Sequence, residues 1–207
     1  LLAAPRLDNA AIRRLIAHQC PAAIPAILAA LDACPEGSRT ERLMSYLLSL
    51  GPDAAPFVAE HLTRAAAPLA RELLAALVKL AAPMPPVEAG PYLTHFDATL
   101  RREAARLLLG YESTRETTLL TVLRDADERV VYIGLLAAAT GCSAEAATVI
   151  RRRIEDGDVT DASARAAGIR AVATRRDDAA LEWVLGHAIM PSSLLRRARL
   201  APASTEL

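Results

Sequence analysis

Residues able to do chemistry are few in this chain, and they do not gather. Among four histidines and three cysteines, only His18-x-Cys20 sets a thiol beside an imidazole. Groups that close in sequence rarely face one substrate together, and Cys20 abuts Pro21 at a helix junction, so the pair reads as structural. His61 follows Phe57 and Val58 by four and three residues and directly precedes Leu62, which gives it a packing or rim role. His18, His95 and His187 fall near expected helix ends, where an imidazolium suits the negative end of the macrodipole. There is no His-Glu-x-x-His motif and no histidine pair at i, i+4, so no metal centre is expected. Neither a Gly-x-Ser-x-Gly elbow nor a phosphate-cradling loop occurs among the nine glycines. The sequence therefore assigns no catalytic residue and no cofactor.

Two charged clusters need a reading. Asp125, Asp127 and Glu128 could form an acid/base or metal group, but they fall at a turn into a helix. Acids there cap free N–H groups and complement the dipole. Arg151, Arg152 and Arg153 are consecutive on a helix, so they point about 100° apart and cannot make one patch. One of them reaching a partner is the expectation. Cys20, Cys34 and Cys142 have no C-x-x-C spacing, which argues against a disulfide framework or a zinc site and fits a reducing, cytoplasmic compartment.

The elements that carry these residues are written periodically. Leu31, Leu62, Leu93, Leu123, Ile154 and Leu185 follow one another at 31, 31, 30, 31 and 31 residues. Four positions before each stand Ile27, Val58, Ala89, Leu119, Ile150 and Leu181. An apolar i, i+4 pair is one face of a helix, so six copies of one amphipathic trailing helix are predicted. A leading helix is expected before each of them, marked by Leu43-Leu47-Leu50, Leu69-Leu73-Leu77-Leu80, Leu100-Ala104-Leu107-Leu108 and Val130-Gly134-Ala137-Ala138. Gly51-Pro52, Pro83 to Pro86, Gly110 and Gly141 supply the stops. "STRE", Ser113 to Glu116, has capping-box spacing for the fourth trailing helix.

Composition agrees. Hydrophobic residues make up 53% and aromatics only 3% of the 207 residues. The apolar content is thus mostly Ala and Leu, strong helix formers, while the residues of a compact β fold are scarce. Such hairpins cannot cover their own apolar faces and must stack. The expected fold is all-α, a right-handed α-solenoid of about six hairpins, as one domain over residues 1–190. Residues 191–207 follow as a tail or the start of a further helix around Arg196 to Arg199. No run is long and apolar enough for a bilayer span. The opening "LLAAPRLDNA" lacks Met and a basic region, and reads as part of a longer polypeptide.

The block Leu119 to Gly141, through Leu119, Leu120, Leu123, Asp125, Asp127 and Val130, resembles a HEAT repeat of the short bacterial, PBS-lyase-like kind. "FDATLRREAARLLLG" resembles it through Asp97, Leu100, Arg101, Ala104 and Ala105, and "DASARAAGIRAVA" through Asp161 and Arg165. The resemblance covers roughly residues 8–190 and implies an Asp–Arg ladder between units. Val131 replaces the Arg in the fourth unit, and residues 1–80 lack a clean pair. It further implies that the trailing helices line a concave surface where partners lie.

The position midway between the two core residues of each trailing helix points outward: Ala29, Glu60, Pro91, Thr121, Arg152 and Trp183. The next column runs Asp32, Thr63, Thr94, Arg124, Glu155 and Gly186. Glu60, Arg124, Arg152 and Trp183 are the expected face for another protein or peptide, with Trp183 able to cover an open end of the stack instead. The expected function is a non-catalytic scaffold or regulatory module. Twenty-four basic and 24 acidic residues leave zero net charge, which speaks against a nucleic-acid-binding repeat of the DNA-alkylation-repair type. A chromophore lyase or chaperone of the PBS-lyase type is the other alternative, but no cysteine sits in a plausible transfer position.

Overall fold

The computed structural model describes residues 21–33, 37–81, 85–190 and 199–200. His18, Cys20, Cys34, Pro83, Arg196 and Arg197 lie outside them. The described chain is all-helical apart from one two-residue ladder. Its α-helices are α1 (Ile24–Ala33), α2 (Ser38–Ser49), α3 (Ala55–Leu62), α4 (Ala67–Leu80), α5 (Ala98–Leu108), α6 (Glu112–Leu123), α7 (Glu128–Ala138), α8 (Ala144–Glu155), α9 (Ala162–Ala173) and α10 (Asp178–Ala188). A 3₁₀ helix, Val87–Thr94, stands between α4 and α5. After α10, β1 (Ile189–Met190) pairs antiparallel with β2 (Arg199–Leu200), so Arg199 belongs to a short strand and not to a further helix. No helix among the described residues is long and apolar enough to cross a membrane.

The contacts divide the chain into two compact units, residues 1–114 and 115–207. In the first, α1, α3 and the 3₁₀ helix form one row and α2, α4 and α5 another. Each trailing helix packs on the leading helix that follows it: α1 on α2, α3 on α4, the 3₁₀ helix on α5. One buried cluster runs from Ile24 to Leu108 and takes in every apolar residue that marks α4, namely Leu69, Leu73, Leu77 and Leu80. In the second unit α7 packs along α9, and α9 also meets α8 and α10. Burying apolar faces contributes most of the stability, since isolated helices of this length are marginal in water.

Side-chain caps fix where five of the ten described α-helices begin. Asp97, Asp127, Ser143 and Asp161 each accept a backbone N–H from the first turn of α5, α7, α8 and α9. Asp177 does the same for α10, accepting from the Ala180 amide at 2.8 Å. The capping box expected at Ser113 is not used. Helix α6 already begins at Glu112, so Ser113 lies inside the first turn. Glu116 instead accepts from the Ser143 hydroxyl at 2.6 Å. The third trailing helix is also not an α-helix. Gly90 and Pro91 sit in its middle, and proline removes a ladder donor and crowds the preceding turn. The chain settles into the tighter 3₁₀ form, with Ala89 buried and Leu93 half-buried.

Two glycines mark close helix approach. A Cβ on Gly134 of α7 would stand 2.9 Å from Val122 Cγ1 and 3.2 Å from Leu123 Cδ2 of α6. One on Gly168 of α9 would stand 2.8 Å from Ile154 Cδ1 and 3.2 Å from Ile150 Cγ2 of α8. In both cases a leading helix lies against buried side chains of the trailing helix before it, at Gly168 against the core pair Ile150 and Ile154.

Candidate functional site

The periodic positions decide which face of each trailing helix is free. Ile27, Leu31, Val58, Leu62, Ala89, Leu119, Leu123, Ile150 and Ile154 are all buried. The residues midway between them, Ala29, Glu60, Pro91, Thr121 and Arg152, are all exposed. Core burial and outward exposure therefore alternate as the spacing requires through four trailing helices, while in the 3₁₀ helix Leu93 is only half-buried.

The sixth departs by one residue. In α10 Leu181 and Leu185 are 58% and 45% exposed, while Ala180 is buried and Val184 half-buried. The last step of the array is thus 30 residues, from Ile150 to Ala180 and from Ile154 to Val184. A one-residue slip turns a helix face by about 100°. Glu182 takes the outward place, and Trp183 moves toward the core edge. This corrects the register assigned to Leu181, Leu185 and Trp183 from spacing alone.

Each expected face residue can now be placed. Glu60 is exposed on α3 in the first unit. In the second unit Arg124, just past α6, pairs with Glu145 at 2.8 Å, both side chains more than half exposed. Arg152 of α8 is 82% exposed and lies 3.4 Å from Asp156 one turn on. Half-buried Trp183 donates its indole N–H to Glu155 Oε1 at 2.7 Å. Its ring also meets His187 with centroids 4.1 Å apart. Arg152, Glu155 and Trp183 thus belong to two adjoining helices, α8 and α10. Glu60 belongs to the other unit.

Sequence reading missed a set of polar arms that span about one repeat. Tyr92 donates its hydroxyl to the Leu62 carbonyl at 2.8 Å, 30 residues away. Arg153 donates to the Leu123 and Asp125 carbonyls at 3.0 and 2.8 Å, occupying orphan acceptors beyond α6. The Arg triplet therefore splits as expected, with Arg152 outward and Arg153 engaged. Glu128 accepts from the Thr160 and Asp161 backbone N–H groups, both at 2.8 Å. Val131, at the position where the resemblance wants Arg, is buried in the core. The signal that could have found these arms is polar residues recurring 28 to 33 positions from a helix terminus.

His61 packs as expected from the sequence, but its polar partners were not read from it. It is 2% exposed, and its Nε2 lies 3.0 Å from Asp32 Oδ1. Its Nδ1 accepts from Arg64 Nη2 at 2.9 Å. Since guanidinium can only donate, Nδ1 must be the acceptor and Nε2–H the donor to Asp32. Both ring nitrogens are thereby engaged within the protein, and the trio ties α1 to α3.

Hydrogen bonding to the charged form holds several carboxyls below the usual carboxylate range. The Thr99 amide does so for Asp97, the Asp161 amide for Glu128, and the Ala180 amide for Asp177. Groups depressed in the folded state stabilise fully above the unfolded value, and that contribution drains as pH falls through the folded one. The melting temperature is accordingly expected to decline from about pH 5 downward. In Glu128→Gln the decline is shallower and starts from a lower plateau. Parallel pH profiles for the two proteins would contradict this. Burial pushes the Cys142 thiol up, the opposite of an activated nucleophile. Among the described residues no group of three His, Cys, Asp or Glu side chains is placed to hold a metal ion. Comparison of the chain with family models, with curated proteins and with solved structures found no match.

Proposed function

We propose that the chain is a HEAT-like helical-repeat module, a solenoid of stacked hairpins within a longer bacterial, cytoplasmic polypeptide. Its task is to bind another protein or peptide on the outward face of its trailing helices, with no reaction of its own. The observation that supports this best is the outward surface of α8 and α10. Leu181 and Leu185 stand open to solvent there, with Arg152 on the neighbouring helix. Exposed apolar side chains and an extended guanidinium are the composition of a binding surface, with Arg and aromatic anchors carrying most of the affinity. Trp183, held against Glu155 and His187, is two residues from both Leu181 and Leu185 and so lies on the other flank of α10, toward α8. Glu60 and Arg124 supply charge elsewhere on the same series of helices.

The test is co-purification of partners from the source cells with wild type, Arg152→Glu, Trp183→Ala and Leu181→Glu. Loss of one anchor is expected to weaken the same partner roughly 30-fold, about 2 kcal/mol. Equal recovery of every partner by all four proteins would remove this face.

A further inference from the structure

The first unit carries a second feature, independent of the face just described. Where the 3₁₀ helix Val87–Thr94 replaces an α-helix, it leaves space on both flanks. On one side a groove of about 590 Å³ is lined by Pro52, Asp53, Pro56, Leu77, Pro86 and Val87, among others. On the other a smaller cavity of about 340 Å³ meets Tyr92 and His95. Glu88 lines both. The physical cause is local: a 3₁₀ helix is narrower than an α-helix, and Ala89 fills the core place held by Val58 or Ile150 elsewhere.

The walls of the larger groove have a definite chemistry. Pro52, Pro56, Pro85 and Pro86 are rigid and apolar and have no backbone N–H, so they offer a ligand no main-chain donors. Val87 is 84% exposed beside them. The only charged groups among the lining residues are the carboxylates of Asp53 and Glu88, and neither makes an ion pair or side-chain hydrogen bond among the described residues. An apolar trough with two uncompensated negative charges selects its occupant by side chains and by sign of charge.

We infer that the groove beside the 3₁₀ helix Val87–Thr94 is a docking site for a peptide segment of another protein that seats an aliphatic side chain against Pro52, Pro56 and Val87 and places Arg or Lys beside Asp53 and Glu88. The proline walls hold the trough open before the ligand arrives, so little ordering is required of the protein. Arginine suits the carboxylates best, because its planar fork can engage an oxygen pair.

The test uses three fluorescein-labelled nonapeptides, identical in their leucines and carrying two Arg, two Gln or two Glu. Polarisation titrations at low salt are expected to place the Arg peptide about tenfold tighter than the Gln peptide. The Glu peptide binds weakest, and the spread narrows as salt is raised. Asp53→Asn with Glu88→Gln removes the preference, and Asp53→Arg with Glu88→Arg reverses it. Circular dichroism checks that both variants fold, and amide shifts in the NMR spectrum should centre on Asp53, Val87 and Glu88. Affinities within twofold for all three peptides, failure of the Arg peptide to bind, or shifts centred on another surface would each overturn the assignment. None of these outcomes bears on Arg152, Trp183 or Leu181.

Discussion

Leu73→Ala is expected to be among the most damaging single substitutions in the chain. Leu73 is fully buried in the middle of α4, among Leu69, Leu77 and the rest of the cluster from Ile24 to Leu108. Truncation removes the transfer free energy of the lost carbons and leaves a void that rigid helices on several sides cannot close. A loss of about 3 to 4 kcal/mol follows, a fall of roughly 10 °C in melting temperature. Scanning calorimetry measures the fall, and hydrogen exchange should show α4 amides losing protection first. A melting temperature within about 2 °C of wild type would mean that the cluster repacks around the gap, against the tight packing described.

Gly168→Leu attacks the second unit by the opposite route. The Cβ alone would lie 2.8 Å from Ile154 Cδ1, 3.2 Å from Ile150 Cγ2 and 3.5 Å from Leu135 Cδ2. Ile154 could swing its terminal methyl aside for an alanine, whose better helix propensity would offset part of the clash. Leucine needs space in several directions at once, so α9 must move away from α8. Overpacking of this kind costs about 3 kcal/mol, and Gly168→Ala should lie much closer to wild type. The ordering of the two variants is the diagnostic result. Equal stability for alanine and leucine would show that α8 and α9 are not held at that separation.

Sequence spacing made the helices legible because burial repeats with the hairpin. Ile27 and Leu31, Val58 and Leu62, and Ile150 and Ile154 had to be apolar, and the intervening Glu60 and Arg152 were free to be charged. Three things escaped it. The 3₁₀ form of residues 87–94 follows from Gly90 and Pro91, whose local effect outweighs an apolar register shared with true α-helices. The slip in α10 was hidden because Ala180-Leu181 and Val184-Leu185 are both apolar neighbours, so either register satisfies the pattern. Only burial distinguishes them, and it places Trp183 at a core edge and Glu182 outward. The polar arms escaped because Tyr92, Arg153 and Glu128 act on backbone groups, so that only their distance of about one repeat from a helix end marks them. Asp32, His61 and Arg64 are likewise ordinary residues until the α1–α3 packing brings them together.

The arms also say how such a chain can change length. Tyr92 and Arg153 each grasp a carbonyl 30 residues earlier, at a place every hairpin possesses. Excising or duplicating a whole period inside either unit would hand each arm an equivalent carbonyl, leaving the grip intact. Removing half a period would offer it the wrong end of a helix. On the repeat reading proposed above, whole cassettes of about 30 residues are the natural increments of growth and loss, and fractional ones are not.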